Sequence, residues 1–365
     1  MADRSTSKQV STAKPPSVPA GGSDAPEDPP HIFAESEPGF VGSEQPQAIS
    51  TLDDEAPVPG AGLGTGSRRL GDRVFAVLTS GASWVVIVLV LLIAAFLLIK
   101  AVPSITDDKV NFLTSREFST SKNDLRFGIA GLLYTTVLIS LFALLIAVPI
   151  AIGIGLFITQ YAPRQLARPV AYIIDLLAAI PSIIYGVWGA TILAPKLTSV
   201  QDGLSHIGLG ILSDEGLVTG TVFDGGVVLA VMILPIITAI ARDVFDRTPT
   251  ANKEAALALG ATRWEMIRLA VLPYGRPGVI SGAMLGLGRA LGETIAVLLI
   301  LSKVTDFHAS LFSGGETFAS KIAGSLDGFG ANPGPYISAG LALFVLTFVV
   351  NASARFIVNR RKDFR

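Results

Sequence analysis

Long apolar stretches alternate with short charged ones over most of the chain. From Val74 onward, runs without a charged residue cover 74–99, 127–163, 176–195, 225–241 and 328–354. A further stretch, 277–302, is apolar except for Arg289 and Glu293. A helix needs about 20 apolar residues to cross a bilayer, because each residue adds about 1.5 Å of rise. The pattern predicts an all-α, polytopic membrane protein with six helices, near 83–102, 128–158, 169–194, 223–241, 277–302 and 334–356.

Three prolines fall inside the predicted helices, namely Pro149, Pro181 and Pro235. Each is expected to kink its helix, which a membrane bundle tolerates where neighbouring groups satisfy the freed carbonyls.

The first 66 residues differ in composition from the rest. They hold ten acidic and three basic residues together with ten prolines. Such a segment buries too little apolar surface to offset the entropy of ordering it. We therefore expect a disordered, acidic, Pro-rich cytoplasmic tail over 1–70 and a transmembrane domain over 75–360. The tail is either an unconstrained extension or a regulatory docking arm.

Composition excludes several classes of function. Half of the residues are apolar, 16% are charged, and the mean hydropathy is +0.57, which excludes an ordinary soluble enzyme. The chain has no Cys, and its three His are scattered, so no metal site and no catalytic residue are predicted. Basic residues number 16 in the loops on the N-terminal side of the membrane and 7 on the other side. The positive-inside rule places both termini in the cytoplasm.

The cytoplasmic loop 242–276 has the pattern of a helical hairpin. Thr250 or Asn252 can cap a first helix, Gly260 permits a turn with positive φ, and Thr262 can cap a second helix ended by Pro273. Trp264, Ile267 and Val271 recur at helical spacing and predict one apolar face for the second helix. Periodicity alone also fits a plain connector at the membrane surface.

The residues of this loop carry a resemblance. Glu254-Ala255-Ala256, Gly260 and Leu272-Pro273 match in identity and spacing the EAA signature of permease subunits in binding-protein-dependent ABC importers, with Ala270 as one departure. The resemblance implies a type I (MetI-like) permease bundle. It also implies that Glu254, Ala255, Ala256 and Gly260 belong to a coupling helix that docks on a cytoplasmic ATPase. The chain has no phosphate-binding loop of its own. No cofactor is expected on it, and ATP and Mg are expected on the partner ATPase.

Charged residues inside the predicted membrane segments are candidates for function. If 277–302 is one helix, Arg289 lies near the midplane, where a guanidinium costs at least ~2.5–3.5 kcal/mol unless it faces a cavity or a partner. Glu293 would then lie one turn away and pair with it. The pair either relays an anion or only fixes helix packing. Asp175, in the third predicted helix, is either a gate residue or reaches arginines at the interface.

A second resemblance concerns the substrate. The segments Gly288-Arg-Ala-Leu-Gly-Glu-Thr-Ile-Ala-Val297, Ile180-Pro-Ser-Ile-Ile-Tyr-Gly186 and Leu234-Pro-Ile-Ile-Thr-Ala-Ile-Ala-Arg-Asp243 resemble phosphate-specific (Pst) permeases, more the C-type than the A-type subunit. The resemblance implies phosphate translocation by Arg289, Glu293 and Thr294 in a bacterial cell membrane. The implied partners are an A-type permease in a heterodimer, two cytoplasmic ATPase subunits and an extracytoplasmic phosphate-binding protein. The lipid bilayer surrounds the chain, and no nucleic acid is expected.

Other functions remain open from the residues themselves. The same kind of machine could carry another oxyanion, such as sulfate or molybdate. A self-contained channel or secondary transporter is a different class, disfavoured by the protruding Ala-rich hairpin and by the lack of an obvious repeat. A membrane-embedded enzyme fits least, because no His lies in any predicted helix.

Overall fold

A computed structural model of the chain describes residues 70–121, 124–206, 219–304, 309–325 and 332–360. The tail predicted to be disordered lies outside these residues, except for its last position. The described elements are, in chain order, α1 Leu70–Thr106, β1 Phe118–Ser121, β2 Asp124–Phe127, α2 Ala130–Leu156, α3 Arg164–Ala178, α4 Ser182–Trp188, α5 Ala194–Ser205, α6 Val222–Asp246, α7 Thr250–Ala258, α8 Arg263–Met266, α9 Leu272–Leu291, α10 Ile295–Ile300, α11 Phe318–Ala323 and α12 Gly334–Arg360. Three π-helical turns, Phe157–Tyr161, Gly189–Leu193 and Ile267–Val271, follow α2, α4 and α8.

Five helical segments of the described chain are long and apolar enough to cross a membrane. They are Gly71–Thr106, Ala130–Tyr161, Ser182–Ser205, Val222–Asp246 and Gly334–Phe356. These correspond to five of the six predicted spans and confirm the all-α membrane fold. The remaining predicted span, one helix over 277–302, is divided into α9 and α10 in the structure.

The core lies between α2 and α6. On α2, Ile139, Ala143, Ala147 and Ala151 are fully buried and recur every fourth residue. This spacing places them along one face, and the small alanine side chains let the α6 backbone approach closely. The facing α6 side chains include Val228, Leu229, Ile233 and Ile237, all fully buried in the same cluster. Pro149 and Pro235 lie inside these two helices, which continue past them as expected.

The prediction of one continuous helix over 169–194 is wrong. It is interrupted at Ala179–Pro181, and the span itself begins at Ser182. Pro181 occupies the N-cap of α4 in an extended conformation. A proline also disfavours helical backbone at the residue before it, so it ends a helix here rather than kinking one. Across the break, the Tyr185 hydroxyl donates a hydrogen bond to the Leu177 carbonyl at 2.9 Å. α3 is therefore a separate helix before the span.

Two short strands stand outside the all-α prediction. β1 and β2 form an antiparallel ladder in which Phe118 pairs with Phe127 and Ser121 with Asp124. The hairpin lies between α1 and α2, and Phe127 is fully buried against Phe112 and Phe118. Packing of these rings holds the hairpin against the helices.

Candidate functional site

α7 and α8 form a helical hairpin between α6 and α9. At the end of α7, Gly260 has a φ of +84°, a conformation that glycine adopts without steric cost. Its amide donates to the Leu257 carbonyl at 2.9 Å, and the Ala261 amide donates to the Ala256 carbonyl at 3.2 Å. This is the Schellman pattern of helix ends. The predicted turn at Gly260 is confirmed.

The cap of α8 is also as predicted. The Glu265 amide donates to the Thr262 hydroxyl at 3.3 Å, and the Thr262 amide donates to the Glu265 carboxylate at 2.8 Å. Hydrogen bonds from the amide and hydroxyl of Thr262 lower the pKa of the Glu265 carboxyl below its usual value. The second helix of the hairpin is therefore fixed at its start by a reciprocal capping box.

Two other predictions for the hairpin are wrong. α7 begins directly after Pro249, whose extended backbone occupies the N-cap, so neither Thr250 nor Asn252 caps it. Pro273 does not end the second helix, which continues through the π turn into α9. There the Leu272 amide bonds to the carbonyl of Ile267, five residues back. Pro273 follows at the start of α9, where a missing N–H is tolerated.

The hairpin exposes apolar side chains. Ile267 and Val271 are fully buried beside Phe245, but Trp264 is 56% exposed and Leu259 is 90% exposed. The prediction of one buried apolar face is therefore wrong for Trp264, whereas Ile267 and Val271 do face the same cluster. Glu254, Ala255 and Gly260 are exposed, whereas Ala256 packs against the cluster around Phe245. Exposed large apolar side chains on a charged loop are typical of a docking surface.

Arg289 lines an open groove between α6, α9 and α12. The groove has a volume of about 730 Å³, within the range of ligand pockets. The Arg289 side chain is exposed to it, one residue after Gly288, which leaves open space where a Cβ would lie. The other lining residues are Ile236, Ser281, Met284, Leu285, Asn351, Ala354 and Arg355. Sequence reasoning missed Asn351 and Arg355, although an arginine at the end of an otherwise charge-free helix is a visible signal.

Glu293 does not pair with Arg289 in the described part of the chain, which corrects the prediction. α9 ends at Leu291, so the four-residue helical spacing between the two side chains is lost. Glu293 is 9% exposed, and its carboxylate accepts a hydrogen bond from the Ala296 amide at 3.3 Å. That amide belongs to the first turn of α10 and has no partner within its helix. The carboxylate therefore stabilises the start of α10.

Thr294 lies in the same break between α9 and α10. Its hydroxyl donates to the Gly292 carbonyl at 3.1 Å, and its side chain makes no cap to α10. Thr294 is half-buried and is not among the residues that line the groove. The structure thus separates the three residues predicted to act on the substrate: Arg289 faces the groove, and the other two shape the helix break.

Asp175 lies on α3, before the span. Its carboxylate is 3.5 Å from the guanidinium of Arg242, near the end of α6. Asp175 is about half exposed and Arg242 about one quarter. This is the arginine contact that was one of the two expectations for Asp175, and an exposed pair of this kind stabilises by about 0–1 kcal/mol.

A second pocket lies beside the β-hairpin, with a volume of about 420 Å³. One wall carries Glu316, which is 2.6 Å from the ammonium of Lys321 and 3.8 Å from that of Lys303. The Lys321 ammonium also lies 4.9 Å from the centre of the Phe118 ring. These contacts join β1 to α11 through Lys321, and Lys321 in turn to Glu316 in the segment before α11. Within the described ranges, no group of three acidic or histidine side chains is placed to hold a metal ion.

Comparison with known proteins gives close relatives. The chain is 53% identical over 299 residues to the phosphate transport system permease protein PstC 2 of Mycobacterium tuberculosis, covering 79% of this chain and 92% of the relative. It is 54% identical over 278 residues to PstC of Mycobacterium leprae (73% and 87%) and 40% identical over 299 residues to PstC of Mesorhizobium japonicum (80% and 91%).

Solved structures share the fold. A chain of a bacterial ABC transporter that imports the acidic polysaccharide alginate matches with a TM-score of 0.54 at 21% identity, covering 79% of this chain and 95% of that one.

The family model for the inner membrane component of binding-protein-dependent transport systems matches residues 147–363. These residues include the hairpin, the groove arginines and the break at Glu293. The chain belongs to the family of inner membrane components of binding-protein-dependent transport systems.

Proposed function

We propose that this chain is a permease subunit of an ATP-driven importer of inorganic phosphate. The observation that carries the proposal is Arg289, whose guanidinium lines an open groove inside a bundle related at 40–54% identity to phosphate transport permeases. A guanidinium presents a planar fork of donors that matches phosphate oxygens. Glu293 and Thr294 contribute by holding the break that ends α9 two residues after Arg289.

The hairpin supports the second half of the proposal. Its exposed Leu259 and Trp264, together with the exposed carboxylate of Glu254, suit a cleft on a cytoplasmic ATPase subunit. Two such subunits would hydrolyse ATP with Mg, so this chain is a transport component with no cofactor of its own. An A-type permease would form a heterodimer with it, and an extracytoplasmic phosphate-binding protein would deliver the anion. The chain would span a bacterial cell membrane several times with both termini in the cytoplasm.

The substrate is tested by ATP hydrolysis in the reconstituted complex. We expect phosphate with its cognate binding protein to stimulate hydrolysis, while sulfate and molybdate do not. A guanidinium binds any tetrahedral oxyanion, so the presence of Arg289 does not by itself distinguish phosphate from sulfate or molybdate. The dependence of ATP hydrolysis on each anion does distinguish them. Stimulation by sulfate or molybdate in place of phosphate would contradict the proposed substrate.

Coupling is tested by Glu254→Lys, which reverses an exposed charge on α7. We expect loss of phosphate uptake at normal membrane abundance, because the reversed charge opposes docking. Asp72→Lys is the matched control, since it reverses another exposed acidic residue, at the start of α1 and outside the hairpin. Normal uptake by Glu254→Lys, or equal loss by Asp72→Lys, would refute the assignment of the hairpin as the coupling element.

A further inference from the structure

The groove that holds Arg289 contains a second arginine. Arg355 lies on α12 and lines the same groove, one helical turn after Asn351. We infer that Arg355 is a second anion-binding residue of this groove. It lies toward the end of the groove nearer the α7–α8 hairpin, and it binds the phosphate oxygens after Arg289 has bound them. The inference rests on the proposed function and adds a residue and a direction to it.

Packing of α12 fixes the order of the two arginines. Its early residues Ala339 and Leu343 belong to the apolar cluster that contains Leu132, at the start of α2. Leu156, at the end of α2, belongs instead to the cluster that contains Ile267, beside the hairpin. Residue numbers on α12 therefore increase toward the hairpin, because α2 runs toward it.

Residue numbers on α9 increase away from the hairpin, because α9 follows α8 and its π turn directly. Among the α9 residues that line the groove, Arg289 is accordingly the farthest from the hairpin, about 12 Å beyond Ser281 along the helix. Among the α12 residues that line it, Arg355 is the nearest to the hairpin. The groove thus carries one cation toward each end.

The remaining lining suits an oxyanion. Asn351 shares a face of α12 with Arg355, at a spacing of four residues, and its amide supplies two donors. On the opposite wall, the Ser281 hydroxyl donates its one hydrogen to the Pro277 carbonyl at 2.9 Å, so Asn351 is the neutral donor left for the anion. Among the described residues that line the groove, none is acidic. A phosphate group therefore meets no carboxylate there, and most of the wall is apolar.

Two cations suit transport better than one. A pathway must bind its ion well enough to admit it and weakly enough, over several sites, to let it leave. Arg289 alone would hold the anion at one place, whereas Arg355 offers a second site closer to the cytoplasmic end. The same chemistry would also bind the phosphate of a lipid headgroup, because the groove is open along its side.

The test uses the absence of cysteine from this chain. In the assembled complex, Ser281→Cys places one thiol of this chain in the groove, and its labelling is followed by the mass of the chain. An anionic and a cationic thiol reagent are compared in nanodiscs of phosphatidylcholine. We expect Arg355→Gln to lower the ratio of anionic to cationic labelling about ten-fold, because a unit charge is removed nearby. Arg355→Lys should preserve the ratio, and Arg247→Gln, an exposed arginine paired with Asp243, is the control.

Transport and ligand source are measured on the same complexes. We expect inorganic phosphate to slow labelling of Ser281→Cys, and Arg355→Gln to reduce phosphate uptake several-fold at normal abundance. An unchanged labelling ratio, or normal uptake, would overturn the inference. Slower labelling in phosphatidylglycerol nanodiscs, without any effect of phosphate, would assign the groove to lipid and also overturn it.

Failure of the inference is distinguishable from failure of the proposed function. The unmodified complex reports the substrate through its phosphate-stimulated ATP hydrolysis, whatever Arg355 does. If Arg355→Gln fails to assemble, Arg355→Met is the second variant, since it removes the same charge and keeps an unbranched side chain of similar length. We expect the same fall in the labelling ratio, and an unchanged ratio would count against the inference.

Discussion

The contacts of Glu293 predict how much it contributes to the free energy of unfolding, and that this contribution is independent of Arg289. In the structure, the Glu293 carboxylate accepts the Ala296 amide and lies outside ion-pair geometry with the arginine. Glu293→Ala removes the acceptor of a buried amide, which we expect to cost about 1.5–3 kcal/mol of unfolding free energy. Glu293→Gln keeps an acceptor oxygen of similar size. It should cost only the interaction of the charge with the start of α10, about 0.3–1 kcal/mol.

A double-mutant cycle tests the separation directly. We expect the effects of Arg289→Gln and Glu293→Gln to add within about 0.5 kcal/mol, because the two side chains share no partner in the described chain. An ion pair behaves differently. If the buried Glu293 carboxylate were paired with Arg289, removing the arginine would leave that carboxylate uncompensated, and removing the second charge would relieve much of the cost.

The measurement is a denaturant titration of the purified complex for both single variants and the double variant. Membrane abundance and phosphate uptake are recorded alongside, because Arg289→Gln should stop uptake whether or not the residues pair. A coupling free energy above about 1 kcal/mol, with the double variant more stable than the worse single one, would show that the residues pair and would refute the reasoning.

Two further predictions concern α9 and the hairpin. A Cβ on Gly278 would lie 2.3 Å from Cγ2 of Val244, whereas one on Gly288 meets nothing within 4 Å. Gly278→Ala should therefore lose about 1–3 kcal/mol to overpacking, while Gly288→Ala should gain up to about 1 kcal/mol of helix propensity; equal denaturation midpoints would contradict this. The lowered pKa of Glu265 means that its cap stabilises α8 above the ordinary carboxyl pKa of 4.5 and is lost as pH falls through the lowered value. Amide hydrogen exchange at Thr262 should accelerate over that acidic range relative to Glu265→Ala, which lacks the accepting carboxylate at every pH, and a constant difference between the two would refute the linkage.

Spans and turn chemistry were predictable because each depends on local sequence. Charge-free runs located five long helices, since burial in lipid excludes charge over about 20 residues wherever a helix crosses. Gly260 and Thr262 fixed the hairpin because a positive φ and a side-chain oxygen act within a few residues. None of these features needs a distant contact.

The helix breaks were not predictable because they depend on competition between local and tertiary terms. Pro149, Pro181 and Pro235 look alike in sequence, yet only Pro181 separates two helices. Similarly, Glu293 reads as an ion-pair partner four residues after Arg289 in an apolar helix. Once Gly292 ends α9, the same carboxylate is positioned for a free amide in the first turn of α10, that of Ala296. Spacing alone does not distinguish these outcomes, because both satisfy a buried charge.

The distribution of paired and unpaired cations has a consequence for how an anion reaches the groove. Beside the β-hairpin, Lys321 and Lys303 are both close to Glu316, so their charge is partly neutralised. In the groove, Arg289 and Arg355 have no acidic neighbour among the described lining residues. Positive charge without an acidic neighbour thus lies in the open groove, whereas at the pocket beside the β-hairpin it is partly neutralised by Glu316. Delivery of the anion by a separate binding protein, on which the transport systems of this family depend, fits an arrangement in which the unneutralised cations line the groove and not the pocket beside the β-hairpin.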